Sequence, residues 1–147
     1  AVDHQLMRPL LKKVSELGLV PIVHTNAESN MEAVWRLERL ALEFPELTFV
    51  SMDALTTNAN SQLALDIAKR TPNILFDTAH IRGGSVYVRQ FVETVGSHRL
   101  VFGSLFYSRE ASYEHCATLE EVKAAKISDE DMANILSRNA KRLFKLQ

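Results

Sequence analysis

The sequence predicts an α/β fold: one leading helix, then four strand–helix units that share a parallel sheet. Three observations predict it. A short apolar run returns four times, at Pro21-Ile22-Val23-His24, Leu47-Thr48-Phe49-Val50-Ser51-Met52, Asn73-Ile74-Leu75-Phe76-Asp77 and Arg99-Leu100-Val101-Phe102-Gly103. The runs recur about every 26 residues, the length of one strand, one amphipathic helix and two short loops. The segments between them carry apolar residues at helical spacing, and strands that alternate with helices pair in parallel. With 147 residues, 46% of them hydrophobic and 24% charged, the chain has enough apolar side chain for one core and one domain.

The elements follow in order. From about Met7 to Leu17, Leu10, Leu11, Val14 and Leu17 form a helical stripe that Gly18 ends, with Pro9 tolerated only in the first turn. The first strand follows at once. Ser29-Asn30-Met31-Glu32 reads as a capping box. Its helix runs to Phe44, with Val34, Leu37, Ala41 and Phe44 inward, and Pro45 closes it. After the second strand, Thr56-Thr57-Asn58 is a loop and cap, and a helix from Ser61 to Arg70 stops before Thr71-Pro72-Asn73. The third strand leads into a loop with Gly83-Gly84, then a helix from Ser85 to Val95 that stops at Gly96. Phe106 to Cys116 has no period and reads as irregular. Ser128-Asp129-Glu130-Asp131 opens a last helix with Ile127 as a staple against Met132, and Ile135, Leu136 and Leu143 form its apolar face. Two architectures fit this pattern: a doubly wound open sheet, or half of an eight-fold βα barrel, which as a whole needs about 250 residues.

Bulk properties exclude several classes. A net charge of −1 gives no electrostatic basis for binding nucleic acid or a membrane surface. The apolar runs fall far short of the ~20 residues that span a bilayer, and no secretory leader opens the chain. Cys116 is the lone cysteine, so no internal disulfide forms and a reducing, cytoplasmic setting is expected. The chain opens at Ala1-Val2-Asp3 without Met, as expected of a processed or truncated piece.

In parallel α/β folds the carboxyl ends of the strands carry the chemistry. His24 ends the first strand, where a neutral imidazole can ligate a divalent metal or act as a base; a histidine hydrogen-bonded at the sheet rim fits the pattern too. Asp53 follows the second strand as an oxygen ligand, a general base or a cap on Ala54-Leu55. Asp77-Thr78-Ala79-His80 is the densest cluster, and Arg82 adds a bidentate fork for a carboxylate or phosphate; a solvated loop with an Asp–Arg pair is the alternative. Gly83-Gly84 lacks the spacing of a phosphate loop. Cys116, beside His115, reads as an inert thiol, and Trp35 and the Phe residues sit at core spacing.

Read together, these residues resemble the carboxyl-terminal half of the amidohydrolase superfamily, in its amidohydrolase-related group of TIM-barrel metal-dependent hydrolases and decarboxylases. Pro21-Ile22-Val23-His24-Thr25 is similar to that group's fifth strand, "PvxxHt", and Leu47 to Asp53 to its sixth, "fvlaHlGG". Asn73-Ile74-Leu75-Phe76-Asp77-Thr78 matches "NvyfDtS" of the seventh, and Arg99 to Ser104 resembles "RllFGSD" of the eighth. Ile127 to Asp131 and Asn139 to Phe144 look like the tail that follows. The resemblance covers roughly residues 5 to 147 and departs from the family at two places. Asp53 stands where the sixth strand carries a second histidine, and Leu105 replaces the aspartate after "FGS", which binds metal and handles the proton of the attacking water.

The resemblance implies a parallel (βα)4 half of a TIM barrel with one extra amino-terminal helix. It also implies metal-dependent hydrolysis or non-oxidative decarboxylation of a small carboxylate or lactone-type substrate. His24 and Asp53 would be the remaining ligands of a zinc or manganese ion, with His80 and Arg82 orienting the substrate. Leu105 would leave the activity impaired. A lone half-barrel has two sheet edges to cover, so the expected partners are a missing amino-terminal half or further copies of the chain in a homo-oligomer. Two other readings remain: a non-catalytic barrel remnant or small-ligand-binding protein, and a nucleotide-binding open sheet. The last predicts a Gly-rich first loop, where this chain has Thr25-Asn26-Ala27-Glu28.

Overall fold

A computed structural model describes residues 1–26, 29–79, 81, 84–104 and 116–147. Helix Met7–Glu16 (α1) precedes four units: strand Ile22–His24 (β1) with helix Val34–Glu43 (α2), Phe49–Met52 (β2) with Asn58–Arg70 (α3), Ile74–Asp77 (β3) with Ser85–Thr94 (α4), and Leu100–Val101 (β4). Helix Ala117–Ala124 (α5) and the segments Asp129–Ala133 (α6) and Asn139–Phe144 (α7) follow, the last two joined by a π turn at Asn134–Arg138. The sheet order is β1-β2-β3-β4 and every pair is parallel. That order decides between the two architectures. A doubly wound sheet reverses its order at a switch point, whereas here each crossover steps to the next strand on the same side. The fold is a parallel (βα)4 half-barrel with one extra amino-terminal helix.

Alternation and register divide the sheet into two faces. Phe49, Ile74, Phe76 and Leu100 are fully buried in the core with Leu37, Leu40, Ile67, Val88, Phe91 and Ile135 of the helical layer. The Phe76 and Phe91 rings meet edge to face at 5.5 Å, the geometry that aromatic quadrupoles favour. The other face carries Ile22, His24, Val50, Met52, Leu75, Asp77 and Val101. At the β1 edge no strand lies beyond among the described residues, and Ile22 is 52% exposed. Beyond β4, the Phe102 N–H donates to Ile135 O at 3.0 Å, a carbonyl within the π turn.

Three side chains staple the loops that lead into the strands, each donating to several backbone carbonyls at a junction before a strand. Asn73 Nδ2 donates to Ala41 O, Phe44 O and Leu47 O at 2.9, 3.2 and 3.0 Å. Arg99 reaches Ile74 O, Thr71 O and Ala68 O. Asn139 Nδ2 donates to Ser97 O at 2.7 Å and Leu100 O at 2.6 Å.

Several sequence expectations are corrected. The box at Ser29 does not open α2, which starts at Val34 with Ala33 as a cap that makes no side-chain hydrogen bond. The strands are shorter than the apolar runs, and Arg99 lies in the 3-10 turn Ser97–Arg99 before β4 because its side chain turns back to the α3–β3 junction. Of the α1 stripe only Leu11 is buried, while Leu10 and Leu17 are more than half exposed. Helix α3 starts at Asn58, where Thr57 caps it by accepting from the Asn60 N–H. Gly18 ends α1 as expected: its φ is +62°, and Gly18 N–H and Leu19 N–H return to Ser15 O and Val14 O. Ser128 caps the last helix by accepting from the Asp131 N–H. Among the described residues no helix is long and apolar enough to cross a membrane.

Candidate functional site

The carboxyl ends of β1, β2 and β3 bring three titratable side chains together. Thr25 joins the first two strands: its N–H and its hydroxyl both donate to Met52 O, at 2.9 and 2.6 Å, and Ser51 Oγ lies 2.9 Å from Thr25 Oγ1. With the strand ends tied, His24 Nε2 lies 3.1 Å from Asp53 Oδ2. The imidazole is 45% exposed, whereas the Asp53 side chain is 7% exposed. On the other side of the ring, Glu32 Oε2 lies 3.6 Å from Nδ1.

Asp53 is left-handed at φ 61°, a region where non-glycine residues are uncommon and Asp is among those best tolerated. Its buried N–H donates to Asp77 Oδ1 at 3.0 Å. The Oδ1 atom of Asp53 is buried without a hydrogen-bond partner among the described residues. Asp77 ends β3 and is 7% exposed. Burial pushes its carboxyl up to about 7, the neighbouring Asp53 charge adds to the rise, and the amide hydrogens of Asp53 and Ala79 work against it.

The β4 side is shaped to admit that carboxylate. Thr78 Oγ1 donates to Gly103 O and accepts from Gly103 N–H, each at 3.1 Å. A Cβ on Gly103 would sit 2.7 Å from Asp77 Oδ2, so glycine is what lets β4 approach. A small cavity of about 190 Å³, lined by Leu75, His98, Asn139, Arg142 and Leu143, lies away from this cluster.

The structure therefore brings His24 and Asp53 together as the sequence suggests, while His80, Arg82 and Leu105 lie outside the described residues. Cys116 is half-buried at the start of α5. Two residues join the cluster that sequence reasoning assigns elsewhere: Glu32, read as half of a helix cap, and Asp77, grouped with His80 and Arg82. The sequence marks Asp77 only as a strand-end carboxylate; its place beside the end of β2 comes from the β2–β3 register, which the structure supplies.

Whether this cluster suits a divalent metal can be judged from its donors. Ligands on one such ion at about 2.1 Å lie roughly 3.0–3.4 Å from one another, so the 3.1 Å separation of Nε2 and Oδ2 suits two adjacent seats as well as a hydrogen bond. The unpartnered Asp53 Oδ1 leaves acceptor capacity on the same carboxylate. Among the described residues, however, no group of three His, Cys, Asp or Glu side chains converges as a ligand set. The pair fits part of a metal site and does not complete one, since catalytic zinc sites use about three protein ligands.

A family model described as Amidohydrolase matches residues 1–146. A search of curated proteins finds no match. Matched from its first residue to its penultimate one, and folded as four parallel βα units, the chain belongs to the amidohydrolase family.

Proposed function

We propose that residues 1–147 form a single domain equivalent to the carboxyl-terminal half of an amidohydrolase barrel. In this reading the chain contributes His24 and Asp53 to a site for metal-dependent hydrolysis or non-oxidative decarboxylation of a small carboxylate or lactone-type substrate. The observation that carries the reading is the 3.1 Å approach of His24 Nε2 to Asp53 Oδ2, with Asp53 Oδ1 buried and unpartnered beside it. A zinc or manganese ion held there would act as a Lewis acid on a substrate carbonyl. Glu32 orients the imidazole from its Nδ1 side, the outer-shell role carboxylates play toward ligating histidines. His80 and Arg82 orient the substrate, with the Arg82 guanidinium taking its carboxylate. Because Leu105 stands at the family's aspartate position, the chain lacks that proton-handling carboxylate and its turnover is expected to be impaired. The lone Cys116 suits a reducing, cytoplasmic compartment.

The test is the metal content of the purified chain and of His24→Ala after incubation with zinc or manganese, read by elemental mass spectrometry. About one divalent ion per chain, lost in His24→Ala, is the expected result. A chain that takes up no metal contradicts the metallohydrolase reading and leaves a non-catalytic barrel remnant.

The partner reading rests on the open β1 edge and its exposed Ile22. In a longer protein an amino-terminal half covers this edge, and the 147-residue chain alone covers it with a second copy. Sedimentation velocity should show self-association that Ile22→Lys reduces to monomer. A wild-type chain that is monomeric at tens of micromolar contradicts self-association.

A further inference from the structure

Asp53 faces His24 from a backbone that turns left-handed immediately after β2, at φ 61°. A non-glycine residue there costs of order 1 kcal/mol and persists when its surroundings over-determine it. The surroundings are specific. The β2–β3 ladder ends at Ser51↔Phe76, so the Asp53 N–H has passed the last paired position. Asp77 Oδ1 accepts that N–H from the neighbouring strand, extending the pairing with a side chain. The Asp77 carboxylate is itself held in place: Oδ2 lies where a Cβ on Gly103 would come within 2.7 Å, and Thr78 clasps Gly103 through two hydrogen bonds.

We infer that Asp77 is a positioning residue of this site, holding Asp53 in the left-handed conformation from which its carboxylate meets His24. Asp77 acts through the Asp53 backbone, and its Oδ1 hydrogen bond is to that amide rather than to the imidazole. Gly103 belongs to the same device, because a larger residue there displaces the carboxylate that holds Asp53.

The inference rests on the metal reading for its functional consequence, and the experiment separates the two. Zinc binding is measured by calorimetry on the wild type, Asp77→Ala, Asp77→Asn, Asp53→Ala and the Asp53→Ala/Asp77→Ala double variant, with far-ultraviolet circular dichroism as the fold control. Asp77→Ala should weaken binding about 10–100-fold, the usual cost of losing an outer-shell partner. Asp77→Asn, which keeps an acceptor oxygen, should restore most of that loss. In the Asp53→Ala background the Asp77 change should add nothing. An Asp77→Ala chain that folds and binds zinc as the wild type does would overturn the inference, as would an equal loss with Asp53 already removed. If Asp77→Ala fails to fold, Gly103→Ala crowds the same carboxylate and should give the same loss. If the wild type takes up no zinc, the metal reading fails, and the positioning role is read on the metal-free chain instead. The His24 imidazole ¹⁵N shifts at fixed pH should then move in Asp77→Ala as they do in Asp53→Ala, and stay near wild type in Asp77→Asn. His24 shifts that respond to Asp53→Ala but not to Asp77→Ala would overturn it.

Discussion

Replacing Arg99 with Met should lower the stability of the chain by about 3–5 kcal/mol, and Arg99→Lys by about half as much. The Arg99 side chain is almost fully enclosed, the residue being 7% exposed. Its partners are carbonyls at the α3–β3 junction: Nε donates to Ile74 O at 2.9 Å, and the two Nη atoms to Thr71 O at 2.8 Å and Ala68 O at 3.3 Å, with a further contact from Nη2 to Ile74 O. Burial alone lowers its pKa, which marks a guanidinium dehydrated by folding. Two of these carbonyls end α3, where the helix dipole favours a cation. Met fills much of the volume but leaves the carbonyls without donors, whereas Lys offers a point charge in place of a planar fork. Urea denaturation should show a lower midpoint with an unchanged slope. An Arg99→Met chain as stable as the wild type would contradict this account of the α3–β3 junction.

Asp77→Asn should stabilise the metal-free chain by about 2–4 kcal/mol at pH 8 and flatten its pH dependence below that. Burial pushes the folded Asp77 carboxyl up to about 7, from 3.8 as the ordinary value. Between those two values the folded chain holds a proton that the unfolded chain has released. Stability from this group is therefore full below about pH 4, falls as pH rises toward 7, and is level above it. Asn cannot ionise and keeps an acceptor for the Asp53 N–H, so the variant removes the cost without removing the hydrogen bond. Thermal melts in EDTA between pH 5 and 8 measure the difference. A wild type whose stability rises over that range, with Asp77→Asn no more stable at pH 8, contradicts the assignment. A residue that costs stability at neutral pH beside His24 and Asp53 fits a site kept for function.

Much of the fold was legible because its signals are local and repeated. Apolar β-prone runs at Ile22, Phe49, Ile74 and Leu100 recur at one spacing, and helical stripes between them leave little choice but parallel pairing. Gly18 and Ser128 act through their own turns, so their roles could be read directly. Where tertiary contacts compete, the pattern misleads. Ser29 and Glu32 have capping-box spacing, yet Glu32 faces His24 and α2 starts later. Arg99 looks like a strand residue, but its long side chain is used up at the preceding junction. Helix α5 buries only Thr118 and Val122 and so carries too weak a period to be read.

The candidate site was legible as two strand-end residues, His24 and Asp53, because strand ends are readable from composition. The left-handed turn at Asp53 and its bond to Asp77 were not, since they depend on the register between β2 and β3. Gly103 shows the same limit: its need for glycine comes from a carboxylate 26 residues earlier in the chain.

In the proposed function His24 and Asp53 together hold a divalent ion. X-ray absorption at the zinc edge of the zinc-loaded chain reads those two ligands themselves. The expected spectrum has a shell of nitrogen and oxygen only, at about 2.0–2.2 Å, with imidazole scattering that disappears in His24→Ala and a ligand number that drops in Asp53→Ala. A sulfur shell at about 2.3 Å, or imidazole scattering that survives His24→Ala, would contradict it.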